Sequence, residues 1–143
     1  MVYRISSGNK LLALIIQDSF NKDGIEFFTP GDFSQQLAYM KRPEGYYIPS
    51  HVHNFVPREV QFTQEVLFIR SGKVRVDFYD DEQIYLESRI LNPGDVILLA
   101  HGGHGFVMLE ESEIIEVKQG PYAGERDKTR FEGISGDEVK IKD

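Results

Sequence analysis

Between residues 65 and 119 the chain is a succession of short apolar runs cut by glycine and proline. EVLFIRSGKVRVDFYD (65–80) is two alternating runs around Ser71-Gly72, a pattern that predicts a hairpin. IYLESRIL (84–91) stops at the turn Asn92-Pro93-Gly94-Asp95, and DVILLA (95–100), GFVML (105–109) and EIIEVKQ (113–119) follow. Upstream, LLALIIQ (11–17), IEFF (25–28), QLAYMKR (36–42) and GYYIPSHVH (45–53) are also strand-like, with Pro49 marking an edge or a bend. Only DFSQQLAYM (32–40) has the composition for a helix of any length. So many short strands at regular spacing predict an all-β sandwich or barrel. The 143 residues suit a single domain, 1–143, with one core. Its last stretch, 123–143, is polar and is expected to be a C-terminal arm, laid on the surface or partly disordered.

Charge narrows the partners. A net charge of −7 without a basic stripe argues against a nucleic-acid partner, because neutralising phosphates needs a cationic surface. It argues equally against docking on anionic membranes. LLALII (11–16) is too short to span a bilayer and lacks a cleavage pattern after it, so the expected location is cytoplasmic. The absence of cysteine removes disulfides, thiolate metal sites and cysteine nucleophiles together.

The four histidines fall in two short segments: His51 and His53 in PSHVHNF, His101 and His104 in AHGGHGF. Residues i and i+2 of a strand share a face, so His51 and His53 would project side by side. Two imidazoles with a carboxylate from a neighbouring strand make a mixed nitrogen and oxygen site, suited to zinc, iron, manganese, nickel or copper. Glu65 alternates with Leu67 and Ile69. A carboxylate on a buried apolar face needs a cation or hydrogen-bond donors. If Val66, Phe68, Val74, Val76 and Phe78 face the core instead, Glu65 is on the outside; both arrangements are open at this point.

These residues resemble the motifs of the cupin superfamily. Gly45, five residues, His51-Val52-His53, then Glu65, six residues and Gly72 is similar to the first cupin motif. Gly94, DVILL and Ala100-His101-Gly102-Gly103-His104 is similar to the second. The first departs in the eleven residues between His53 and Glu65; the second has Ala100 in place of proline and one residue fewer before His104. The resemblance covers about residues 36 to 119. It implies a jelly-roll barrel, or double-stranded β-helix, with a divalent metal (Fe, Mn, Zn or Ni) held by His51, His53, Glu65 and His104. Either His101 or His104 could be the third imidazole, with His104 favoured at a strand start.

Glu59 and His101 are the candidate proton carriers, and Tyr47, Gln61 and Phe106 the candidate substrate contacts, the two aromatics by strand parity with His51 and His104. Lys118 and Gln119 precede the reversal at Gly120-Pro121, though their spacing does not tie them to the pocket. The expected function is a metal-dependent enzyme acting on a small polar molecule such as a sugar derivative, in the isomerase/epimerase or dioxygenase class. The alternative is a non-catalytic small-ligand-binding module, and a metal-free isomerase using histidine as base is a third reading. The chain's ending is similar to small stand-alone cupins linked to surface-polysaccharide and nucleotide-sugar metabolism. Cupin-like barrels commonly pair, so a homodimer is expected, built partly from Leu11 to Gln17.

Overall fold

A computed structural model describes residues 1–143. Ten strands form: β1 (Val2–Ser7), β2 (Lys10–Ile16), β3 (Gly24–Phe27), β4 (Ala38–Lys41), β5 (Glu65–Ser71), β6 (Val74–Tyr79), β7 (Tyr85–Leu91), β8 (Val96–Leu99), β9 (Gly103–Met108) and β10 (Glu113–Lys118). Every pairing between them is antiparallel. One sheet has five strands in the order β1-β2-β8-β5-β10, a second has three in the order β7-β6-β9, and β3 and β4 form a two-stranded ribbon. No helix is long and apolar enough to cross a membrane. The short helix considered for 32–40 does not form; its end is strand β4.

Burial explains the patterns. Leu67 and Ile69 of β5, Val74, Val76 and Phe78 of β6, and Ile97 and Leu99 of β8 belong to one buried cluster, fed by both larger sheets. Strand β2 is apolar from Leu11 to Ile16 because both its faces are covered there. Ala13 and Ile15 enter that cluster, while Leu14 and Ile16 join Phe28 and Leu98 in a second. The second cluster is roofed by Phe20, whose ring meets Phe28 and Tyr39 edge-on at 5.5 and 4.9 Å. An uninterrupted apolar run is what a strand buried on both sides requires.

Two expectations are corrected. Strands β5 and β6 are not a hairpin: β5 lies between β8 and β10, and β6 between β7 and β9. Their inward side chains meet across the core rather than in one ladder, and Ser71-Gly72-Lys73 carries the chain from one sheet to the other. Gly72 has φ 86°, and a Cβ there would stand 2.3 Å from the Glu111 carbonyl oxygen. Gly72→Ala is therefore expected to lower stability by about 1–3 kcal/mol, read as a shift in denaturation midpoint.

Residues 45–53 do not form a strand, and every residue from 41 to 62 is exposed. Pro43, Pro49 and Pro57 each remove a backbone donor from this arm. Its bonds are local: Tyr46 N–H to the Pro43 carbonyl at 3.1 Å, Ser50 N–H to the Tyr47 hydroxyl at 3.4 Å, and His51 Nδ1 to the Pro49 carbonyl at 2.9 Å. Strand β2 is interior, its edges paired with β1 and β8.

The C-terminal arm lies on the surface. It makes two 3-10 turns, Gly124–Asp127 and Gly136–Glu138, and ends in a parallel bridge between Ile141 and Ser88. Ser88 N–H donates to the Lys140 carbonyl and Lys142 N–H to the Ser88 carbonyl, so the arm covers the free edge of β7. Phe131 packs edge-on against Tyr79 at 5.0 Å.

Candidate functional site

A cleft of about 2540 Å³ opens beside β9. Its floor is built from three strands. Glu65 begins β5 and stands in register with Lys118 of β10. His104 lies opposite Phe78 and Phe106 opposite Val76, which puts both on the inward face of β9. Residues 58–63 line one side and residues 128–131 another.

The side chains on this floor form a small electrostatic cluster. His104 Nε2 lies 3.9 Å from Glu65 Oε2, and Lys118 Nζ lies 3.5 Å from Glu65 Oε1 and 3.3 Å from Glu116 Oε1. Burial raises the Glu65 carboxyl above its ordinary value, and Glu116 adds to this more than Lys118 subtracts. Lys118 is itself raised, chiefly by the Glu65 charge. Burial lowers His104, helped by Lys128 and Lys118. The result is an imidazole biased neutral beside a carboxyl biased toward its protonated form.

This bias has a consequence for stability. A folded carboxyl with a raised pKa favours the fold when protonated. Its contribution is complete below the ordinary 4.5 and is lost as pH rises through the folded value. Glu65→Gln mimics the protonated form. The variant is therefore expected to gain stability relative to the parent as pH climbs above 4.5, measured by urea denaturation at a series of pH values.

His101 occupies the rim. Its ring meets Phe33 and Phe62 edge-on at 5.7 and 6.3 Å. Burial and Lys10 lower it, against the pull of Asp81 and Asp32. Asp81 accepts from Lys10 Nζ at 2.5 Å and from Gly102 N–H at 3.1 Å, fixing the His101–Gly103 turn. At the other end, buried Gln64 accepts from Gln35 N–H at 3.0 Å, and Gln35 Nε2 donates to Gln119 Oε1 at 2.8 Å. These amides tie the return of the 41–62 arm to the end of β10.

The residues singled out in the sequence divide into two groups. Glu65, His104, His101, Phe106, Glu59 and Gln61 all line the cleft. His51, His53 and Tyr47 stand on the exposed arm, with the two imidazole rings 5.2 Å apart. Within one chain no group of three or more His, Asp or Glu side chains is arranged to hold a metal ion. The floor supplies two donors, Glu65 and His104, with Lys118 Nζ 3.5 Å from Glu65 Oε1. One chain by itself therefore does not fit the four-ligand centre that the motifs imply. The role of Lys118 was not legible in spacing; only the β5–β10 register brings it to Glu65. Comparison with family models, curated proteins and solved structures finds no match to this chain.

Proposed function

We propose that the chain is a cupin-type jelly-roll protein and an enzyme of the isomerase/epimerase class, acting on a small polar molecule such as a sugar derivative. The barrel reading is supported by two antiparallel sheets sharing one core, with the chain crossing between them at Gly72. The catalytic reading rests on one observation: a neutral-biased imidazole and a protonated-biased carboxyl, 3.9 Å apart, on the floor of an open cleft.

His104 Nε2 would accept a proton from a carbon next to a carbonyl, while the Glu65 carboxylic acid gives its proton to the carbonyl oxygen. From the enediol so formed, His104 delivers its proton to the former carbonyl carbon and the Glu65 carboxylate takes the proton of the hydroxyl on the carbon first deprotonated, giving the isomer and returning both groups to their starting states. Phe106 offers an apolar wall below them, and Lys118 stabilises the Glu65 carboxylate after it has given up its proton.

The test is solvent exchange. Aldoses, ketoses and nucleotide-linked keto sugars are incubated with the protein in D2O, and proton NMR follows loss of the signal next to the carbonyl. Enzyme-dependent deuterium uptake is the expected result. A sugar that binds in the cleft without any exchange would overturn the catalytic reading in favour of a binding module. Burial lowers the His104 pKa from 6.5 and raises that of Glu65 from 4.5, so the rate should rise as His104 loses its proton and fall as Glu65 loses its own. Glu65→Gln, which has no proton to give, should slow product formation by roughly 10²–10⁴-fold, the range for losing a positioned acid.

A further inference from the structure

We propose that the cleft is completed by a second copy of this chain, whose residues 45–56 add as a strand to the free edge of β9. The inference rests on the cleft reading above only in that the same cleft is closed.

Four observations converge. The arm carries large apolar side chains in water, with Tyr47 71%, Val52 85% and Phe55 93% exposed. Large apolar side chains exposed together along one segment are a feature of contact surfaces. A segment of this length without secondary structure is itself unusual in a compact domain.

Strand β9 pairs with β6 on one edge only, so its other edge presents backbone donors and acceptors from Gly103 to Met108. The remaining edge of the same sheet, on β7, is already taken by the C-terminal arm.

The cleft also runs round both faces of that edge. Glu65, His104 and Phe106 line it on the inward side, and Arg75 and Asp77, in register with Val107 and Gly105, line it on the outward side. Its volume of about 2540 Å³ exceeds the roughly 300–1,000 Å³ of ordinary ligand pockets by more than twofold. A gap that wraps a sheet edge and exceeds what one small molecule fills has the form of a missing strand.

The parities match. In a strand over 45–56, His51, His53 and Phe55 share one face, and Ile48, Val52 and Val56 share the other. Turned with the imidazoles inward, the outer apolar residues meet Val107 and Leu109, which are 40% and 45% exposed. Pro49, which cannot donate, is tolerated because the added strand is the new edge.

A second copy is favoured over the chain's own arm. Residues 58–63 already line the cleft on their way back to β5, while 45–57 hydrogen-bonds only locally. Exchange about a two-fold axis satisfies both arms at once. It sets the partner's His51 and the partner's His53 beside Glu65 and His104.

The test exploits the absence of cysteine. Val107→Cys is combined in turn with Ile48→Cys, Ser50→Cys and Val52→Cys, and each pair is oxidised and run on a non-reducing gel. The expected result is a covalent dimer from at least one pair and none from the single-cysteine variants. The parent should show twice 16.4 kDa by light scattering. An intrachain disulfide, no disulfide from any pair in folded protein, or dimers formed equally by single-cysteine variants would overturn the proposal. The assay needs no ligand, so its failure leaves the exchange test of the cleft standing, and the reverse also holds.

Discussion

His104→Gln is expected to slow deuterium exchange into the substrate by roughly 10²–10⁴-fold, the range for losing a positioned general base. The substitution keeps a polar side chain of similar reach on β9, and the core beneath it, with Phe78 opposite, stays filled. The loss should appear in kcat, with KM changed little, because a base acts in the transition state rather than in binding. His101→Gln serves as the comparison. His101 lies at the rim between Phe33 and Phe62, so its replacement should alter KM more than kcat. A His104→Gln enzyme with the parent's kcat would remove His104 from the chemistry.

The second large effect concerns the outward side of the same sheet. Asp77 is buried and accepts two bonds from Arg75, at 2.9 and 3.1 Å, and a third from the Ser88 hydroxyl. Ser88 is fully buried; its hydroxyl also meets the Tyr85 hydroxyl at 2.7 Å, which takes the Lys140 N–H at 2.8 Å. Asp77→Ala strips the guanidinium of its partner and is expected to cost about 3–5 kcal/mol in urea denaturation. Because the network reaches Lys140, amide exchange should quicken at Lys140 and at Lys142. Arg75→Met combined with Asp77→Leu removes both charges and should recover most of the loss, since an ion pair replaced whole leaves no stranded charge. A loss below 1 kcal/mol in Asp77→Ala would mean that water reaches Arg75 freely.

Much of the all-β architecture was legible because strand signals are local. The runs at 11–17, 84–91 and 95–100 each became a strand within a residue or two of their expected limits. Pairing was not legible. Ser71-Gly72 has the residues of a hairpin turn, yet β5 pairs with β8 and β10, partners chosen by burial far along the chain. The N-terminal strand Val2–Ser7 escaped notice because VYRISS has only a short apolar alternation. The sequence left the Glu65 face open between core and outside; Glu65 is buried with Leu67 and Ile69, and Phe68 of the other face is exposed. The 45–53 segment misled for a physical reason. Its composition is that of a strand, but a strand needs a neighbour, and within one chain it has none.

The account stands on the electrostatics of the cleft floor, and NMR titration reads these directly. The ring proton of His104 is assigned by its loss in His104→Gln, and the Glu65 carboxyl by its loss in Glu65→Gln. The account predicts a His104 midpoint below 6.5 and a Glu65 midpoint above 4.5. A His104 midpoint at or above 6.5, with Glu65 at or below 4.5, would describe an ordinary exposed ion pair and would contradict it.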